Sequence, residues 1–160
     1  MMERTAINSI IISPMGTEDL ADVIKLGSAV PQFDTGTSSQ KFFSLSTLMG
    51  MIKSKNCIML VVKKENHVIG FMITSIQPDT KDAYMHSIFV REDYRNQGIG
   101  SQMMEQTLSV LESQKDDCNH VFGLVRIENK NMLSIMSKYG FAHGNGFYYI
   151  DMMLPRKSSN

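Results

Sequence analysis

Between Tyr84 and Ile127 the hydrophobic pattern changes period twice. Tyr84–Val90 reads as a strand, Gly98–Ser113 sets Ile99, Met103, Met104, Leu108 and Leu111 on one helical face, and Val121–Ile127 reads as a strand again. Two strands joined through a helix run parallel in one sheet, because a tight hairpin joins only antiparallel neighbours. That unit demands a sheet with helices packed on it. The rest of the chain extends the same plan. Ile7–Ser13 reads as a first strand, and Thr17 is placed to cap a helix carrying Leu20, Val23 and Ile24, which Gly27 and Pro31 end. Val30 to Gln40 is rich in turn residues and reads as a functional loop. Leu45, Leu48, Met49 and Ile52 then repeat at helical spacing. Cys57–Val62 and His67–Ile76 read as a hairpin about the polar turn Lys63–Asn66, Asn129–Tyr139 as a helix stopped by Gly140, and Phe147–Leu154 as a last strand. The predicted order is β-α-α-β-β-β-α-β-α-β, an α/β domain with a mixed sheet.

The chain has 160 residues, which matches one domain of roughly 150. That domain is expected over residues 1–155, with a polar tail at 156–160. The 16 basic residues balance the 16 acidic ones, so no footprint for nucleic acid or an anionic membrane is present. The longest apolar run, Cys57–Val62, is strand-sized and far short of a bilayer span. Met-Met-Glu-Arg-Thr lacks the basic and apolar regions of a signal peptide, and a cytoplasmic location is expected. Cys57 and Cys118 stand apart without nearby ligand pairs, so neither a disulfide framework nor a metal site is expected.

Chemistry concentrates in Val90-Arg-Glu-Asp-Tyr-Arg95-Asn96-Gln97-Gly98-Ile99-Gly100. A strand ends, a basic turn follows, and a helix starts. Helix-start amides are unpaired and sit at the positive end of the dipole. Gly98 and Gly100 let a bulky anion approach the main chain, a geometry suited to phosphate. By itself the pattern also fits a plain tight turn. Two other phosphate motifs fit poorly. Met103 stands where the dinucleotide fingerprint needs a third glycine, and no Gly-Lys pair is present for a P-loop.

Arg95-x-x-Gly98-x-Gly100 after a strand ending in Val90 resembles the coenzyme A signature of the GNAT family of N-acetyltransferases. The helix from Asn129 to Gly140-Phe141 resembles the family's Asn-to-Gly-Phe helix, and Val68-Ile69-Gly70-Phe71, in the second strand of the hairpin, looks like its Ile-Val-Gly-Phe-type strand. Element order, motif spacing and length agree with it. The resemblance implies the GNAT fold, with acetyl-CoA in a gap where the strands at Tyr84–Val90 and Val121–Ile127 splay. It implies pyrophosphate on the backbone of Arg95, Asn96, Gln97, Gly98, Ile99 and Gly100, reaching Ser101. The pantetheine arm would lie along Ile88, Phe89 and Val90 and reach Asn129, with capping of its own helix as the other role of Asn129. It further implies acyl transfer to an amine of a small molecule, a protein N-terminus or a lysine. A backbone N–H near Ile88 or Phe89 would serve as oxyanion donor.

His86 is the candidate base, with a structural histidine or a water chain as the alternatives. The family frequently has a Tyr four residues before its Gly-Phe pair. Here that position is Met136, which cannot donate a proton. Tyr139, one turn later, is the remaining candidate acid on that helix, and packing is its other role. The acceptor side would be built from Val30–Phe43 and Ala142–Tyr149, which carry Phe33, Phe42, Phe43, Phe147, Tyr148 and Tyr149, with Asp34 available to steer a cation. Met136 keeps a non-catalytic acyl-CoA-binding sensor open as the alternative. Oligomeric state is also open; a homodimer through the last strands is common in the family.

Overall fold

A computed structural model describes residues 9–30 and 42–146. Its elements are β1 (Ile10–Pro14), α1 (Leu20–Ser28), α2 (Leu45–Lys53), β2 (Cys57–Lys64), β3 (His67–Gln77), β4 (Asp82–Val90), α3 (Ile99–Ser113), β5 (His120–Gly123) and α4 (Lys130–Lys138). The sheet order is β1-β2-β3-β4-β5. Pairing is antiparallel from β1 to β4 and parallel between β4 and β5. The expected last strand, Phe147–Leu154, lies outside the described residues, as do Ile7 and most of the Val30–Gln40 loop.

Continuous apolar runs mark strands covered on both faces, and β2 and β3 behave so. Met59, Val61, Phe71 and Ile73 face α1 and α2, where Leu20, Val23 and Leu48 complete one core. Leu60, Val62, Ile69 and Met72 face α3 and α4, where Ile99, Met103, Met104 and Met136 complete the other. The β2–β3 turn closes through Glu65 and Asn66, both at positive φ, the pairing that matches strand twist in a two-residue hairpin. At Gly70 a Cβ would come within 2.8 Å of the Phe89 carbonyl oxygen. Glycine there lets β4 lie close against β3.

Three local expectations change. Thr17 does not cap α1: it starts a 3-10 turn, Thr17–Asp19, that leads into the helix. Gly27 does not end α1 but is buried within it. In α2 the inward stripe is Leu48, Met51 and Ile52, while Leu45 and Met49 are exposed. The α2 cap is Ser44, whose Oγ accepts from Thr47 N at 3.2 Å.

Asp19 is buried and ties the start of α1 to β2 and to the turn before it. Its Oδ2 accepts from Gly16 N at 2.8 Å, and its Oδ1 lies 2.6 Å from Lys63 Nζ on β2. The two partners differ in exposure, 25% for the lysine side chain against 4% for the aspartate. Removing each should therefore cost differently. Lys63→Met strands a buried carboxylate and is expected to cost about 3–5 kcal/mol. Asp19→Ala releases a lysine that can reach water and is expected to cost less, about 1–3 kcal/mol. Urea unfolding of the two variants checks that order.

Candidate active site

The parallel pairing of β4 with β5 runs from Asp82↔His120 to Met85↔Gly123 and stops there. β4 continues to Val90, whereas the chain after Gly123 leaves the strand conformation. The expected strand Val121–Ile127 is thus cut to His120–Gly123, with Leu124 and Ile127 strongly exposed. A bulge coincides with the parting. On β4, Ser87 pairs with Ile73 and Met85 with Thr74, so His86 is the extra residue. A bulge bends its strand and re-aims side chains. Met136 of α4 is buried beneath the same point, near Gly123.

Beyond the bulge, β4 presents main chain on its open edge. Arg91 N donates to Ile69 O of β3 at 2.8 Å, and the Phe89 carbonyl also faces β3. Strand alternation then turns the N–H and C=O of Ile88 and Val90 toward the side where β5 has ended. Of the two expected oxyanion donors, Ile88 N–H is on the open edge and Phe89 N–H is not. The side chains of Ile88 and Val90 pack toward α3, while Phe89 packs on the opposite face against Phe71, with ring centroids 5.5 Å apart.

At the end of β4 the chain turns through Glu92–Tyr94 into the Arg95–Gly100 segment. Arg95 Nε donates to Val90 O at 2.9 Å, which folds its side chain back and fixes the turn. Asn96 (φ 60) and Gly98 (φ 76) are left-handed, a conformation that costs glycine nothing. The first bond of α3 is Gln102 N to Gly98 O at 3.0 Å, so the amides of Ile99, Gly100 and Ser101 begin the helix without a helical acceptor. A Cβ on Gly98 or Gly100 would meet nothing within 4 Å. Open space in front of unpaired amides fits a phosphate, so the residues present suit the pyrophosphate of coenzyme A.

Asn129 caps α4, its Oδ1 accepting from Met132 N at 3.2 Å. Tyr139 directs its hydroxyl at α3, within 3.2 Å of Ser101 O and 3.3 Å of Glu105 Oε1. It packs on the α3 side of the sheet, braces the first turns of that helix, and is not brought to His86.

His86 lies on the other face, toward α1 and α2. Its ring meets Phe43 edge-on at 5.3 Å and Tyr84 at 4.4 Å. Nε2 lies 2.8 Å from Ser75 Oγ on β3. Burial pushes the imidazole pKa below its usual value. The expected aromatic cluster divides: Phe42 joins the core against Phe71, and Phe43 stays at the site. Phe33, Asp34, Phe147, Tyr148 and Tyr149 lie outside the described residues. Sequence reasoning missed Ser75 and the bulge. Nothing in an alternating strand pattern marks either one.

The buried imidazole makes stability depend on pH. An unfolded His titrates near 6.5, above the folded His86. Below about that pH the unfolded state binds a proton that the folded site refuses, so stability falls as pH falls toward the lowered value. His86→Gln should lose this part of the acid sensitivity. Urea unfolding of both proteins between about pH 8 and 5.5 checks it.

The family model of the Acetyltransferase (GNAT) family matches residues 30–141. N-alpha-acetyltransferase 60 of Xenopus tropicalis is 32% identical over 121 residues, which are 71% of this chain and 49% of that protein. The chain thus spans about half the length of the curated relative it matches. A solved transcriptional regulator from Bacillus halodurans C-125 superposes with a TM-score of 0.74 at 15% identity, over 90% of this chain and 100% of the other. PaiA N-acetyltransferase from Thermoplasma acidophilum, solved with coenzyme A, gives 0.72 at 18% identity, over 87% and 93%. These two likenesses concern the fold. With the family model matching most of its length, the chain belongs to the GNAT family of acetyltransferases.

Proposed function

We propose that the protein is an N-acetyltransferase of one domain, residues 1–155, which moves the acetyl group of acetyl-CoA to a primary amine by direct attack in a ternary complex. The observation that carries this reading is the parting of β4 and β5 at Met85 and Gly123, beside the unpaired start of α3. Acetyl-CoA supplies an activated thioester when bound. The chain's own residues do the rest. The backbone of Arg95, Asn96, Gln97, Gly98, Ile99 and Gly100, with Ser101, holds the diphosphate. The open edge of Ile88 and Val90 aligns the pantetheine arm as an added strand would, Asn129 adds a contact from α4, and Ile88 N–H meets the charge that builds on the acyl oxygen.

His86 takes the proton from the attacking amine. Its lowered pKa keeps the imidazole neutral near pH 7, as a base must be. In this reading Tyr139 holds α4 to α3 rather than donating a proton. No acid is required to expel the sulfur, since a thiol pKa near 8.5 makes thiolate a tolerable leaving group. The acceptor is an amine of a small molecule, a protein N-terminus or a lysine. The N-alpha-acetyltransferase relative supports the protein N-terminus.

A second reading is supported by Met136. At the parting this chain has a buried thioether in place of a proton donor, which suits a module that binds acyl-CoA without turnover.

Thermal unfolding with acetyl-CoA, with adenosine diphosphate as anion control, tests the cofactor site. Ligand at about 100 times its dissociation constant should add roughly 2.7 kcal/mol, and Gly100→Glu should abolish the rise. A rise with no release of free thiol, when spermidine, kanamycin and a peptide with a free N-terminus are each offered, would favour the binding module. If an amine is turned over, His86→Gln should slow it by about 100-fold or more above pH 7 and leave acetyl-CoA affinity unchanged. Steady-state kinetics across pH reads this out.

A further inference from the structure

The nitrogen by which His86 takes a proton depends on what the other nitrogen does, because a neutral imidazole has one N–H and one lone pair. Here one nitrogen is committed. Nε2 lies 2.8 Å from Ser75 Oγ, across the strand pair at the bulge where His86 is the extra residue. In the regular ladder Ser75 pairs with Tyr84, and His86 has no direct partner on β3. The aromatic neighbours, Phe43 from the α2 side and Tyr84 from β4, pack the ring edge-on. Among the described residues Ser75 is the ring's hydrogen-bond partner, and no charged side chain hydrogen-bonds to it.

The direction of this bond has chemical consequences. If Ser75 donated to Nε2, the lone pair would be consumed and Nδ1 would carry the proton. Protonation during turnover would then require the hydroxyl to rotate away inside a half-buried site. If Nε2–H donates to Ser75, Nδ1 keeps its lone pair, and a proton can arrive there without disturbing the bond. The imidazolium that results still donates Nε2–H to the same oxygen.

We propose that Ser75 is the positioning residue for His86, accepting Nε2–H so that Nδ1 is the atom that takes the acceptor's proton. The proposal rests on the reading of His86 as base. Ser75 acts through the imidazole and touches no reacting atom.

Long-range proton–nitrogen correlation spectra of isotope-labelled histidine in the whole protein read the tautomer directly. In the wild type at neutral pH the expected pattern is a protonated Nε2 and a pyridine-like Nδ1. In Ser75→Ala the minor Nδ1–H form, absent from the wild type, should appear beside Nε2–H, and Ser75→Thr, which keeps a hydroxyl and suits a strand, should suppress it again. In turnover of whichever amine of the three above is accepted, Ser75→Ala should lower kcat by roughly tenfold. The KM for acetyl-CoA should not change, and threonine should rescue the rate. A wild-type ring protonated at Nδ1 overturns the proposal. So does a Ser75→Ala enzyme with wild-type kcat and pH profile beside an impaired His86→Gln enzyme. If His86→Gln is itself unimpaired while the ring is protonated at Nε2, the base reading has failed, and the catalytic role of Ser75 fails with it. That result is distinguishable from a wrong tautomer.

Discussion

The site depends on the loss of a strand partner. Four residues of β4 pair with β5, and then the two diverge. Backbone N–H and C=O groups away from water need partners, so a strand that loses its neighbour mid-sheet must find another or face solvent. β4 does this on one edge only. Its other edge remains bonded to β3 through Gly70↔Val90, and the cores above and below β3 hold it there. The opening is therefore bounded on one side by a strand that stays fully paired. Its three neighbours are the bulge at His86, the buried Met136 and the turn into α3.

Much of this was legible in the sequence, for physical reasons. Cys57–Val62 and Val68–Ile73 are unbroken apolar runs, which buried central strands require, and both lie within observed strands. Gly98 announced a special backbone, and its φ of 76° explains why. Ile99, Met103, Met104 and Leu111 form the buried face of α3 as their spacing predicts. These features are local: a few consecutive residues decide them.

What was not legible depends on partners distant in sequence. Val121–Ile127 has the composition of a strand, yet only His120–Gly123 pairs, because pairing needs a neighbour and β4 bends away at its bulge. The phase of α2 is ambiguous in the sequence because Leu45 and Met49 match the helical period as well as Met51 does; only contact with the sheet selects among them. Tyr139 reads from the sequence as an acid or a packing residue alike, and the contacts of its hydroxyl with Ser101 and Glu105 belong to another helix. Ser75 gave no signal, since its partner His86 lies on the next strand and only the pairing of the two strands brings them together.

The open edge of β4 has a further consequence for how the protein behaves among other proteins. An unpaired strand edge is a template for any extended chain, and natural sheets limit such edges. Here the exposed template is very short, the groups of Ile88 and Val90. Arg95 Nε already donates to the Val90 carbonyl at 2.9 Å. The same side chain that shapes the turn into α3 therefore also fills one of the few acceptors that an incoming strand would need.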